Sequence, residues 1–190
     1  MKDLQHYIDA AAKDGPPRAG IILAVRMSLL ALKRLEIDDL TAQKRRLVVV
    51  VETDRCLPDA VQLVTGCRLG NRTLKLKDRG KMAAAFIDLL NDRAIRLAAR
   101  ESANQKATGL FPGLEKMEAL SLAYRTLADV ELYHQEWVRV RLAPEDLPGY
   151  RTPRVICAEC GEGIAFHREV QTGGRILCRT CAGERYYEHL

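Results

Sequence analysis

The sequence predicts an α+β protein in which a core domain of residues 1–150, with a mixed or antiparallel sheet and packed helices, precedes a small zinc ribbon over residues 151–190. Three observations predict this organisation. Helical and strand patterns follow one another irregularly, without the strand–helix–strand alternation of a parallel sheet. Prolines and a glycine mark a linker near residue 150. Two Cys-x-x-Cys pairs follow that linker.

Two helices are expected at the start of the core. Apolar residues recur at helical spacing over residues 3–13, and Asp3 is placed to cap that helix. The Gly-Pro-Pro segment 15–17 ends it, because proline cannot continue the hydrogen-bonded ladder. A second helix is expected over residues 18–35, where apolar residues surround most of the circumference. That pattern predicts a helix buried in the domain centre or against a second copy of the chain.

A sheet is expected in the middle of the core. Residues 47–51, Leu-Val-Val-Val-Val, are typical of an interior strand. A helix with proline in its first turn follows over residues 57–64, and residues 73–77 alternate as an exposed strand. Segments 84–90 and 94–99 fit two strands joined by a turn, although their alanines and arginines also allow helix.

One further helix and one further strand complete the predicted core. Leucine, methionine and tyrosine form one face of an amphipathic helix over residues 114–127. Valine and leucine then alternate with arginine over residues 138–142, which predicts a half-buried strand. We expect Trp137 in the core or at an interface, and His6 and His134 in helical surroundings as surface or cap residues.

The two Cys-x-x-Cys pairs predict a metal site in the tail. Seventeen residues separate Cys157 and Cys160 from Cys178 and Cys181. This is the spacing of a structural zinc site, in which each pair presents two thiolates to one tetrahedral ion. Two disulfides or a rubredoxin-like iron also fit the same residues. His167 lies in the loop between the pairs, but four cysteines already satisfy zinc.

Charge and composition argue against a nucleic-acid-binding, secreted or membrane protein. The net charge is +5, but the segment from residue 151 onward carries six arginines against five acids. Because phosphate neutralisation supplies most nucleic-acid affinity, this near-neutral ribbon makes a nucleic-acid partner unexpected. The N-terminus lacks a secretory apolar region and the apolar segment 21–32 is too short to cross a bilayer. The sequence therefore predicts a cytoplasmic protein without a membrane partner.

The remaining two cysteines allow two interpretations. Cys56 follows the predicted strand 47–51, and Cys67 follows the next helix, so both can lie at the same end of the sheet. They can be small buried hydrophobes. They can also form a cleft with Asp59, which is three residues beyond Cys56 on the first helical turn, and there hold a metal or a reactive group.

Several motifs follow one another along the chain in an order that resembles a known family. They are Cys56-Leu-Pro-Asp59-Ala60-Val61-Gln62, Thr65-Gly66-Cys67 followed by Gly70-Asn71 and Leu74, Asp78-x-Gly80-Lys81, and Cys157-Ala-Glu-Cys160-Gly161-Glu162. From about residue 14 onward the chain resembles the FmdE-like family of formylmethanofuran dehydrogenase, including its stand-alone members. The resemblance implies an α+β core, a homodimer and a link to a molybdenum or tungsten enzyme as protein partner.

The chain departs from that family pattern at the front of the core. Family members carry His-Gly-His-x-Cys-Pro-Gly before the long apolar helix, as part of a metal-binding or catalytic cleft. The matching stretch here is Asp14-Gly-Pro-Pro-Arg18-Ala-Gly, without either histidine or the cysteine. Asp14 still offers a carboxylate, whereas Arg18 would repel a metal and could bind an anion at the helix N-terminus. The cleft candidates are therefore Asp14, Arg18, Cys56, Asp59 and Cys67.

Three functions fit the sequence. The first is a zinc-binding accessory protein with one structural zinc per chain and a core cleft for a second metal or a small anionic ligand. The second is a metal- or thiol-dependent enzyme or metal carrier acting through Cys56, Asp59 and Cys67. The third is a transcription regulator, since ribbons of this spacing also occur in proteins that bind nucleic acid or RNA polymerase.

Overall fold

The computed structural model describes residues 2–12, 15–39 and 45–188, which divide into two compact units, Met1–Arg141 and Leu142–Leu190. The helices of the first unit are α1 (Leu4–Ala11), α2 (Ala19–Leu35), α3 (Leu57–Thr65), α4 (Glu101–Leu110), α5 (Lys116–Thr126) and α6 (Asp129–Leu132). Its strands are β1 (Leu47–Val51), β2 (Leu74–Leu76), β3 (Ala83–Asp88), β4 (Arg93–Ala99) and β5 (Tyr133–Val138).

The five strands form one mixed sheet in the order β2-β1-β3-β4-β5. β1 and β2 run parallel, and the other neighbouring pairs run antiparallel. α3 makes the parallel pair possible because a crossover is needed to bring the chain back to the start of the next strand. The α+β class and the mixed sheet predicted from the sequence are confirmed.

The core lies between one face of the sheet and the helices. Val49, Phe86 and Ile95 face the helices in adjacent strands, and all three are fully buried. α2 packs against α1, α3, α5 and β4, so its apolar circumference is covered within the chain. The Tyr133 hydroxyl donates a hydrogen bond of 2.7 Å to the Leu23 carbonyl oxygen, which ties β5 to this central helix.

Most predicted elements of the core are confirmed. Asp3 caps α1 by accepting a hydrogen bond of 2.8 Å from the His6 amide. The segments 84–90 and 94–99 are strands rather than helices, because they pair as the antiparallel hairpin β3–β4.

The end of the core differs from the sequence prediction in two places. The strand predicted at 138–142 is wrong, because pairing with β4 selects residues 133–138 instead. His134 therefore lies on a strand opposite Ala98, and Trp137 is half exposed rather than part of the core. Helix α4 was missed, since few of its residues are apolar and only Ala103 and Ala107 are buried.

The second unit consists of two short hairpins. β6 (Val155–Ile156) pairs with β7 (Gly163–Ile164), and β8 (Val170–Thr172) pairs with β9 (Arg175–Leu177). A 3-10 turn at Pro144–Asp146 precedes them, and Arg168 reaches back to Asp146 through an ion pair of 2.5 Å. No helix in the described part of the chain is long and apolar enough to cross a membrane.

Candidate metal centre and core cleft

The four cysteines of the tail converge in the structure. One Sγ atom from each of Cys157, Cys160, Cys178 and Cys181 lies within 4.8 Å of all the others, and the Cys160 and Cys178 sulfurs are 3.9 Å apart. A tetrahedral zinc with Zn–S bonds of about 2.3 Å places its sulfurs about 3.8 Å apart. The four thiols therefore fit zinc in both chemistry and spacing. Within the described ranges they are the one group of three or more metal-ligating side chains.

Each cysteine pair is held by a tight turn after a hairpin strand. The Gly161 amide donates to the Cys157 carbonyl oxygen at 3.1 Å, and the Ala182 amide donates to the Cys178 carbonyl oxygen at 2.9 Å. Gly161 has a φ of +75°, a conformation that glycine adopts without steric cost. The Cys178 amide also donates to the Cys157 sulfur at 3.3 Å, which connects the two pairs.

The electrostatics of the four thiols favour a bound cation. Backbone amides of Cys160 and Cys178 lower the pKa of Cys157 to about 6, so this sulfur is readily present as a thiolate. The neighbouring Cys178 sulfur, together with burial and the other thiols, raises the pKa of Cys181 to about 12. Four sulfurs this close cannot all lose their protons unless a positive ion compensates the charge.

His167 takes no part in the four-sulfur cluster. Its ring is half exposed, lies 3.3 Å from a Glu169 carboxylate oxygen and contacts the ring of Tyr150. The cluster thus has four cysteine ligands available without a histidine, as the spacing predicted.

The structure does not bring the two core cysteines together. Cys56 lies beyond the end of β1 and precedes α3. Cys67 is buried at the opposite end, where its thiol donates to the Leu47 carbonyl oxygen at the start of β1 over 3.5 Å. The expectation that both lie at one end of the sheet is wrong, because α3 carries the chain about 13 Å back along β1. Burial raises the pKa of the Cys67 thiol, as expected for a packed hydrophobe.

The other predicted cleft residues do not all lie at one place in the structure. Asp59 is exposed on the first turn of α3, and Arg18 is exposed at the N-cap of α2. Asp14 lies outside the described residues. Cys56 approaches the first turn of α2 closely, since a Cβ atom added to Gly20 would lie 3.2 Å from its sulfur. Among the predicted candidates, Arg18 and Cys56 therefore lie beside the same helix end.

A cavity of about 470 Å³ opens at that end of the core. The beginnings of α2 and α4 line it, together with the residues just before β3, the end of β4 and one side of α5. Its apolar wall includes Leu23, Met82 and Leu120, and its polar side chains include those of Lys81, Arg100, Glu101, Asn104 and Tyr124. This size and mixture are typical of a site for a small organic ligand.

The charged residues that line the cavity, Lys81, Arg100 and Glu101, leave a small excess of positive charge. Arg100 is held by a hydrogen bond of 3.2 Å from its Nε to the Tyr133 carbonyl oxygen. Lys81 is exposed at the rim. Arg96 lowers the pKa of nearby Glu52 by a bidentate hydrogen bond, and Lys81 and Arg79 lower it further. Glu52 is thus a carboxylate that partly offsets these cations.

Tyr124 provides a neutral polar group within the cavity. Its hydroxyl donates a hydrogen bond to the Asn104 side-chain oxygen. Burial raises the pKa of Tyr124, and the neighbouring Glu101 carboxylate raises it further. The phenol therefore stays protonated at neutral pH.

Sequence reasoning missed the residues that line this cavity. The sequence places Lys81 in the Gly80-Lys81 motif, but no local pattern marks Arg100, Asn104 or Tyr124 as site residues. The motif could have indicated Lys81. The others come from α4 and α5, and their convergence depends on how those helices pack.

Comparison with known families divides the chain into two matches. A family model described as "FmdE, Molybdenum formylmethanofuran dehydrogenase operon" matches residues 17–146. A second, described as "Prokaryotic dksA/traR C4-type zinc finger", matches residues 148–187. The first match covers more than half of the chain and contains the cavity, whereas the second contains the four-cysteine cluster.

Two individual proteins are similar to this chain. A probable S-adenosyl-L-methionine-binding protein of Archaeoglobus fulgidus is 29% identical over 187 residues, which cover 87% of this chain and 49% of the relative. The chain therefore spans about half the length of that relative. The crystal structure of a tungsten formylmethanofuran dehydrogenase FmdE-like protein from Syntrophus aciditrophicus has a TM-score of 0.64 and 24% identity, with 99% of this chain and 96% of that chain covered. This likeness shows the fold.

Proposed function

Because the chain belongs to the FmdE family of the molybdenum formylmethanofuran dehydrogenase operon, we propose that it is an accessory protein with two sites. The four cysteines bind one structural zinc, which allows the ribbon to fold. The core cavity binds a small organic ligand that carries a negatively charged group.

The cavity at the beginnings of α2 and α4 is the observation that carries the ligand proposal. The first amides of each helix lack partners within the helix, and the helix dipoles favour negative charge at these ends. Lys81 and the anchored Arg100 add two full positive charges, against Glu101 on the same lining. A carboxylate or phosphate fits this end, while Leu23, Met82 and Leu120 suit an apolar part of the ligand.

S-adenosylmethionine is the first ligand to test. The relative from Archaeoglobus fulgidus is described as a probable binding protein for it. The molecule has a carboxylate for Lys81 or Arg100, and its cationic sulfonium suits Glu101. A volume of about 470 Å³ is sufficient for a ligand of this class.

Calorimetric titration of the zinc-loaded protein tests this proposal. S-adenosylmethionine, its neutral thioether S-adenosylhomocysteine and ATP serve as probes. We expect at least one to bind, and we expect Lys81→Glu to weaken its binding about tenfold by reversing a charge at the rim.

Lys33→Glu is the matched control, because Lys33 lies in the last turn of α2, at the opposite end from the cavity. Equal weakening by Lys33→Glu would contradict a specific role for the cavity. Failure of all three probes to bind at millimolar concentration would contradict the proposed ligand class.

A further inference from the structure

The two edges of the core sheet differ in how well they are protected from added strands. β2 is three residues long and lies in the segment Leu74-Lys75-Leu76-Lys77, so lysines accompany it. β5 is six residues long, and its sequence, Tyr-His-Gln-Glu-Trp-Val, contains neither lysine nor proline. Lysine, proline and short length are the usual devices that prevent pairing at an edge. β5 has none of them.

The register of the sheet determines which β5 groups point outward. The Arg100 amide donates to the Leu132 carbonyl oxygen at 2.8 Å, which fixes the alternation of hydrogen-bonded pairs between β4 and β5. Residues 134, 136 and 138 then bond to β4, and the backbone groups of Gln135 and Trp137 point away from it. These two residues present the amides and carbonyls that an added strand requires.

An exposed aromatic side chain and several arginines accompany this edge. The Trp137 side chain is half exposed, and the guanidinium carbons of Arg93 and Arg34 lie 4.9 Å and 5.7 Å from its ring centre. Arg93, Arg139 and Trp137 line a hollow of about 310 Å³ at the same place. Asp92 lines it too, and Glu36 pairs with Arg93 at 3.7 Å between exposed side chains. On the face of the sheet that carries Trp137, three arginines therefore stand near two acids, whereas the Glu136 side chain points to the opposite face and pairs with Arg96 at 3.4 Å.

We propose that the edge of β5 binds an extended acidic segment of a partner protein as an added strand. The backbone of Gln135 and Trp137 pairs with the segment, and an apolar side chain of the segment packs on the Trp137 indole. Acidic side chains two residues before and two residues after it lie on the same face and pair with Arg93 and Arg139. Tryptophan and arginine are the residues most often responsible for binding energy at protein interfaces.

Charge and backbone hydrogen bonding favour this occupant over two others. A second copy of the chain would add an edge with the same excess of arginines, and like charges oppose such pairing. A nucleic acid has no strand of amides and carbonyls to pair with the backbone of Gln135 and Trp137.

Tryptophan fluorescence can test the proposal directly, because Trp137 is the one tryptophan of the chain. The probe is an end-blocked peptide, Thr-Glu-Thr-Val-Thr-Glu-Thr, in which the valine and both glutamates share one face of an extended strand. Its controls are the same peptide with lysine for glutamate and the same peptide with alternate backbone amides methylated. We expect the glutamate peptide to change the Trp137 emission saturably, and we expect about tenfold weaker binding for both control peptides.

Protein variants distinguish binding at the β5 edge from non-specific attraction to the net positive charge of the protein. Arg139→Glu should weaken the glutamate peptide about tenfold, as measured by Trp137 emission. Trp137→Ala should do the same, as measured by polarisation of a labelled peptide. Arg68→Glu makes the same charge change at an exposed position in the loop that leads to β2, and it should leave binding unchanged.

Three results would overturn the proposal. One is equal binding of the methylated and unmethylated peptides. Another is that a single-stranded oligonucleotide binds, that Trp137→Ala abolishes this binding, and that the glutamate peptide does not change the Trp137 emission. The third is a light-scattering mass of twice 21.3 kDa that Trp137→Ala reduces to the single chain.

Discussion

The core unit and the ribbon unit bury apolar side chains on different scales. The core unites buried residues from α1 to β5 in one cluster that includes Phe86, Ile95 and Tyr133. The ribbon cluster has three buried residues, Cys157, Ile164 and Leu177, and one of these is a metal-ligating residue. Units of about 40 residues or fewer usually need disulfides, metals or oligomerisation to fold, and the zinc-finger match covers residues 148–187. We therefore expect the core to fold without metal and the ribbon to require its bound zinc.

The two units also differ in charge. The segment 142–190 contains six arginines against seven acids, a net charge of −1, so the +5 of the chain leaves +6 for residues 1–141. The net positive charge that would attract the proposed anionic ligand is thus carried by the core. The near-neutral ribbon gives no electrostatic support to a nucleic-acid partner, and a transcription regulator is not favoured by this distribution.

The largest expected effect is the loss of the ribbon fold in Cys160→Ser. Removing one of four thiolates should abolish zinc binding, and structural zinc contributes apparent free energies of about 10–16 kcal/mol in small peptides. Elemental analysis should give one zinc per chain for the unchanged protein and none for the variant. Cys56→Ser makes the same chemical change outside the cluster, so it should keep the zinc. Zinc loss in both variants would contradict the assignment.

A smaller loss of stability is expected when a substitution leaves a void in the apolar core. Phe86→Ala removes a fully buried ring and should lower the free energy of unfolding by about 3–5 kcal/mol. Far-ultraviolet circular dichroism during urea unfolding measures this change. The zinc content should stay the same, because Phe86 belongs to the core cluster. Loss of zinc from Phe86→Ala would show that the ribbon depends on the core.

Asp88→Asn should lower the free energy of unfolding by about 2 kcal/mol at neutral pH, and by less at acidic pH. Although burial alone would raise the pKa of Asp88, hydrogen bonds from Arg46, Asn91 and the Leu90 amide outweigh it and lower the pKa. The charged carboxylate therefore stabilises the fold above the unfolded pKa near 3.9, and this contribution disappears as pH falls through the lower folded value. Urea unfolding at neutral and acidic pH measures the difference, and a constant difference would contradict this cause.

Tyr133→Phe should have the smallest effect, a loss of about 1 kcal/mol in the free energy of unfolding. It removes the hydrogen bond from the Tyr133 hydroxyl to the Leu23 carbonyl oxygen while keeping the buried ring. The same urea experiment measures it. An effect as large as that of Phe86→Ala would mean that this hydrogen bond, rather than apolar burial, determines the stability of the core.

The difference between the two units also explains what the sequence could predict. The zinc cluster was predictable because its four ligands lie in two short motifs, and the strand 47–51 was predictable because its β-branched run is local. The cavity was not, since Lys81, Arg100 and Tyr124 come from separate elements. The strand at 138–142 was misplaced because Arg139 and Arg141 alternate with apolar residues, whereas pairing with β4 selects residues 133–138.

The separation of Cys56 and Cys67 depends on a direction that local patterns do not contain. Helix α3 was recognised from its proline and apolar spacing. Its course back along β1 follows from the parallel pairing of β1 with β2, which is a long-range contact. The sequence therefore identified both cysteines and their neighbouring elements but not the distance between them.

Hydrogen–deuterium exchange with and without a zinc chelator tests the central claim most directly. If zinc holds the ribbon and apolar burial holds the core, chelation should remove amide protection from residues 155–181 and leave β1, β3 and β4 protected. Readdition of zinc should restore the protection. Unchanged protection of the ribbon after complete zinc removal, or loss of protection in the core strands together with the ribbon, would contradict the account.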